Sequence, residues 1–294
     1  MTLTHTEPTT RTLDVPGATL TYDVRLNPGS SEPPLFLIGS PMAAAGFTTL
    51  ASHFPDRTVV TYDPRGSERS TKLDATGPST PEEHADDLHR LIQAVGLGPV
   101  DLFATSGGAV NAMALVRAHP HDVRTLVAHE PPIIDVLPDR EAAKAASRQV
   151  HADYQRYGFG VGMARFITLV MHEGPLPDDW ASQPAPDPAM FGLPTEDDGS
   201  RDDPLLGQNM ESSPEYVPDF DALRSGPTRI VMAAGEESLR TLTGRSTVAI
   251  AERLGLEPTV FPGNHAGFLG GEYGQTGKPD EFASTLRAVL EGEG

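Results

Sequence analysis

Residues 104–108 read Ala-Thr-Ser-Gly-Gly, so the Ser106 hydroxyl is fenced by residues with little or no side chain. The apolar run of 100–104 precedes it and another, 109–116, follows. Such flanks describe a buried strand handing over to an apolar helix, and a sharp turn between them would hold Ser106 strained and exposed. The residues two before and two after the serine must then be small, as Ala104 and Gly108 are. A hydroxyl so placed suits nucleophilic attack, but it is weak until a base takes its proton. A histidine must share the site.

Position sorts nine of the ten histidines. His5 lies in an N-terminal stretch expected to be loose, and His84 and His89 fall on a helix far from the strand ends. His119 and His121 precede a strand, hence sit at the amino edge of a sheet, and His151 and His172 belong to an inserted segment. His265 follows the last strand in a Gly/Asn loop, at the same carboxyl edge as Ser106. A third group should orient the base. Glu130 is where the apolar strand 123–129 stops, and a carboxylate partly buried there needs a partner that a histidine can supply. Glu237 and Glu236, which open a polar stretch after a later strand, are the alternatives. His129 should point to the opposite side of its strand and be packed or hydrogen-bonded. No His/Asp/Glu spacing suggests a metal site, and neither a metal nor a cofactor is expected.

Several elements must position these groups. "TLDV" and "ATLTYDVRL" flank a Pro-Gly turn and read as a hairpin. The runs at 34–39, 57–63, 100–105, 123–129, 228–235 and 258–263 read as strands, those at 34–39 and 57–63 as buried ones, with helices at 44–54, 80–96, 106–118 and 245–254 and a closing helix through Leu290. Thr80-Pro81-Glu82-Glu83 gives the second of these a capping box, and Gly96 ends it. Strands alternating with helices imply a parallel sheet. The rhythm breaks at Pro131-Pro132. Residues 131–226 read as an insertion, helical at first and then a proline- and aspartate-rich loop over 174–204, between core segments 1–130 and 227–294.

The net charge of −19 opposes binding to nucleic acid or an anionic membrane. The start has no basic region followed by an apolar one, no run suits a membrane span, and no cysteine is present for a disulfide framework. A cytoplasmic protein acting on a small molecule is expected, as monomer or homodimer.

The elbow at Ser106, "LFLIGSPM", "YDPRGSERS" and "FPGNHAGF" together make the chain resemble the α/β-hydrolases over nearly its whole length. The likeness implies a mostly parallel sheet of about eight strands flanked by helices, with an inserted helical cap. It implies the N–H groups of Gly107 and Ser40 as oxyanion donors, with Met42 nearby, Pro41 having none to give. The family's usual His-Gly pair is Ile38-Gly39 here, and its usual acid position, after strand 228–235, is Ser238. Relatives such as the haloalkane dehalogenases and the zearalenone lactone hydrolase carry a glutamate at the place of Glu130. The reading is a serine hydrolase for an ester or lactone, with Ser106, His265 and Glu130 as a triad. A cofactor-free lyase, perhydrolase or cyclase is the alternative, as is a ligand-binding protein with little turnover.

Overall fold

The computed structural model describes residues 7–292, so His5 lies outside the described residues. Strands β1 (Thr9–Val15) and β2 (Ala18–Arg25) form the expected hairpin, with Gly17 at φ +77° supplying the left-handed turn. β3 (Leu35–Ile38) leads through a 3₁₀ turn at 44–47 into the short α1 (Thr48–Ser52), and then β4 (Val59–Asp63). β5 (Thr71–Lys72) pairs with β2 and was not anticipated, because two exposed residues carry no periodicity.

α2 (Pro81–Val95) has the capping box that its sequence announces. Glu83 N–H donates to Thr80 Oγ1 over 3.2 Å, Thr80 N–H donates to Glu83 Oε2 over 2.9 Å, and Gly96 closes the helix in the left-handed region. β6 (Val100–Thr105), α3 (Gly107–Ala118) and β7 (Val123–His129) follow. The chain then leaves the sheet for α4 (Arg140–Tyr157), α5 (Phe159–Val170) and α6 (Phe220–Ser225). It returns as β8 (Arg229–Gly235), α7 (Leu242–Leu254), β9 (Thr259–Phe261) and α8 (Pro279–Glu291).

The sheet order is β1-β2-β4-β3-β6-β7-β8-β9, eight strands on one path, with β5 as a ninth short strand beside β2. From β4 to β9 neighbours run parallel, while β1, β2 and β5 pair antiparallel. Side chains alternate across it. Phe36, Ile38, Val60 and Leu102 face a core built with α2, α3 and α7, whereas Leu35, Leu37 and Phe103 face one built with α1 and α8. The chain winds from β3 outward to β4, then from β6 the other way to β9. The carboxyl ends of β3 and β6 therefore flank a topological switch point, where open parallel sheets take their ligands.

Between β7 and β8, α4 and α5 pack closely, a Cβ at Gly162 falling 2.9 Å from the Tyr154 Cα. The loop 174–203 is mostly exposed and holds only 3₁₀ turns at 180–182 and 188–191, as its composition predicts. Its inward anchor is Trp180, buried beneath the Arg165 guanidinium. The segment grips the rest of the chain on two sides of the carboxyl edge. Asn209 Oδ1 lies 3.0 Å from His84 Nε2 and Ser79 N–H donates to the Gln208 carbonyl; on the other side Arg245, in α7, pairs with Asp139. His84 is thus near the carboxyl edge rather than far from it, because α2 starts there and runs away.

Candidate active site

Ser106 stands one residue beyond β6, held in the ladder by its N–H donating to the His129 carbonyl at 2.9 Å. Its φ of +56° with ψ of −131° is the strained turn the small residues foretold, at a cost on the order of 1–3 kcal/mol. The smallness of the two glycines also answers to the loop after β3. A Cβ at Gly108 would lie 2.7 Å from the Gly39 Cα, and one at Gly107 would lie 2.6 Å from the Ser40 carbonyl oxygen. The loop after β3 presses on the turn. Gly107 opens α3, so its N–H has no acceptor within the helix. Ser40 is buried against it, its hydroxyl without a partner among the described residues, and Met42 lies over Gly39.

Glu130 stands one residue beyond β7, its N–H donating to the Ala233 carbonyl at 2.9 Å and its φ at +51°. The carboxylate is fully buried. Oε1 accepts from the Gly235 N–H at 2.9 Å; Oε2 accepts from Thr243 Oγ1 at 2.7 Å and lies 2.6 Å from His265 Nδ1. Burial pushes the carboxyl up, but the charge and hydrogen bond of His265, with the Thr243 hydroxyl, hold it well below the usual carboxylate range. His265 shifts the other way. Burial disfavours the imidazolium, yet the Glu130 charge and hydrogen bond outweigh it and raise the ring above its ordinary value. Among the described residues, no hydrogen bond joins His265 to Ser106; such contacts commonly tighten only once substrate is bound.

Glu236 and Glu237 are half-exposed and both pair with Lys278, at 2.6 and 3.0 Å. His129 is packed among Phe103, Phe261 and Phe282, as expected, with Nδ1 2.9 Å from Thr105 Oγ1. It does not point away from the site, however. Its ring lies 5.9 Å from that of His265, and its unpartnered Nε2 is 3.8 Å from Glu130 Oε1. The positive φ of Glu130 breaks the strand alternation on which that expectation rested.

Thr243 escaped the sequence reading, which began the helix at Arg245. The signal was there: Thr241 caps α7 by accepting from the Gly244 N–H, so the helix starts at Leu242 and Thr243 falls in its first turn. A cleft of about 550 Å³ opens between Gly66 and Glu68 and the loop residues Pro194 to Pro204. Ser106, Glu130 and His265 do not line it.

A sheet in this order, turning through a strained residue into the helix after its central strand, defines the α/β-hydrolase fold. A family model described as alpha/beta hydrolase fold matches residues 33–160. Over 287 residues the chain is 31% identical to Uncharacterized hydrolase YraK of Bacillus subtilis (strain 168), covering 96% of each chain. The chain belongs to the α/β-hydrolase family.

Solved structures extend the likeness in shape. A thermophilic esterase from Thermogutta terrifontis superposes with a TM-score of 0.68 at 18% identity, covering 98% of this chain and 99% of that one. The enol-lactonase from Burkholderia xenovorans LB400 gives 0.65 at 14% identity, over 96% and 100%. At such identities the likeness speaks for the fold alone. Among the described residues, no helix is long and apolar enough to cross a membrane.

Proposed function

We propose that the protein is a serine hydrolase that cleaves a carboxylic ester or lactone through Ser106, His265 and Glu130. The observation that carries the reading is the 2.6 Å contact between His265 Nδ1 and the buried Glu130 carboxylate, at the sheet edge where Ser106 is held strained. Ser106 Oγ attacks the carbonyl carbon while His265 takes its proton. The imidazolium, steadied by Glu130, then protonates the leaving oxygen as the acyl carbon–oxygen bond breaks. Water deacylates the serine by the same proton path in reverse. The Gly107 N–H, free of any helical partner, would receive the oxyanion together with the Ser40 N–H.

We read 131–226 as a lid on a core formed by 1–130 and 227–294. Its grip on His84 and Ser79 on one side and on Arg245 on the other supports this, since both holds lie at the carboxyl edge. Ester or lactone as substrate class is supported by the site chemistry, in which a serine activated by a histidine–carboxylate pair suits acyl transfer.

The test is an organophosphorus fluoride probe, with p-nitrophenyl esters and macrolactones as substrates. One covalent adduct per chain should map to Ser106, and turnover should vanish with it. Labelling that persists in Ser106→Ala, or no turnover of any carboxylic ester or lactone by a protein that does label, would overturn the reading.

A further inference from the structure

The edge of the sheet opposite Ser106 carries a second cluster that the hydrolytic chemistry does not use. His89 lies on the later half of α2, His119 caps the end of α3, and Asp122 precedes β7. One ligand atom from each comes within 4.8 Å of the other two. We propose that His89, His119 and Asp122 form a binding site for a transition-metal dication, zinc being the natural probe. Two imidazoles and a carboxylate are a donor set that divalent zinc, cobalt, nickel and copper favour over magnesium or calcium. Three protein ligands would leave one tetrahedral position for water.

The scaffold holds two of the donors in place. The Asp122 N–H donates to the His119 carbonyl, and the Val100 N–H donates to the Asp122 carbonyl, so the turn His119–Asp122 is stitched to the start of β6. Gln93 Nε2 holds Asp122 Oδ1 at 3.2 Å, while Oδ2 is 2.6 Å from His89 Nδ1. Side-chain exposures of 29% for His89 and 12% for Asp122 leave the cluster open to an ion from solvent. The imidazoles now stack face to face, with centroids 3.7 Å apart and planes within 10°. Parallel rings cannot aim two lone pairs at one point. Zinc–nitrogen bonds of about 2.0–2.1 Å require the rings to splay, a rotation that half-exposed side chains can make.

The cluster was invisible in the sequence because its first histidine comes from a helix thirty positions upstream of the other two donors. Filled, it would join α2 to the α3–β7 turn, far from the triad.

The experiment titrates zinc chloride into chelator-stripped protein near neutral pH, followed by calorimetry. One zinc per chain is expected, and His89→Gln and His119→Gln should each weaken it about tenfold or more. The exposed neighbour variant His121→Gln should bind as the parent does. Zinc should raise the melting temperature of the parent and not that of His89→Gln, with ester turnover equal in both. If His119→Gln fails to fold, as loss of a helix-end residue can cause, His89→Gln alone decides. No zinc bound by the parent overturns the proposal, as does undiminished binding by a folded His89→Gln.

Discussion

A buried carboxylate stands at each end of the central strands, and the two are partnered in opposite ways. At the amino end Asp101, on β6, accepts from Arg57 at 2.7 Å and from Arg124 at 2.8 and 2.6 Å. Guanidinium groups do not lose their protons in proteins, so the partners of that carboxylate can neither take nor give one. At the carboxyl end Glu130 has two neutral donors, Gly235 and Thr243, and one titratable partner, His265. Only there can a proton be taken and returned. Burial of an acid is common to both ends; what differs is whether its partner can change charge.

Removing each acid should separate the two roles. Glu130→Gln keeps the shape but cannot steady an imidazolium, and kcat should fall about 10⁴-fold on one activated ester, with circular dichroism unchanged. Asp101→Asn should do the reverse. It strands the buried Arg57, so about 3–5 kcal/mol of stability should go in urea unfolding while kcat holds. A dead but stable Asp101→Asn, or an active Glu130→Gln, would erase the contrast.

Acid titration sharpens it further. Burial holds the His84 and His129 imidazoles down to about 4 from 6.5. The unfolded chain takes up those protons from about pH 6.5 downward and the folded chain refuses them until about pH 4. Stability should therefore fall as pH drops across that window, by up to about 3 kcal/mol per histidine. Activity should fail sooner: kcat/KM rises with pH through a His265 value above the ordinary imidazole one, because the base must be neutral. A rate profile flat from pH 8 down to pH 5 would remove His265 from the base role.

Thr243→Val tests the support of the acid. Losing one donor to a charged group costs about 1.5–3 kcal/mol of stability, read in urea unfolding. It leaves more of the Glu130 charge to His265, so the acid limb should move to higher pH. An unmoved limb would make Thr243 a packing residue. The smallest effect belongs to Glu237→Gln, which touches only a half-exposed pair with Lys278 and should stay within about twofold in kcat.

The strands, the serine turn and the α2 capping box were legible because each is written in contiguous residues. Buried strands show as apolar runs, and Thr80 with Glu83 names a helix start without reference to the rest of the chain. What was hidden depends on contacts between distant segments. Gly108 is read from the sequence as small for the turn alone, whereas the loop after β3 crowds both it and Gly107. His129 was assigned to the far side by strand alternation, a rule that fails at the next residue's positive φ. Glu130 could be separated from Glu236 and Glu237 by where an apolar run stops, but the three donors around it come from elements more than a hundred positions away.

The N–H bonds of Ser106 to the His129 carbonyl and of Glu130 to the Ala233 carbonyl extend the hydrogen-bond ladder one rung past its strands. Ser106 and Glu130 thus occupy equivalent rungs of neighbouring parallel strands, and the separation of their backbones is a unit of the sheet, about 4.8 Å between strands. A length set by backbone pairing is out of reach of side-chain substitution. Sequence drift can reshape the loops above the site and change what they admit, but it cannot retune the spacing beneath, which is inherited from the hydrogen-bonded sheet.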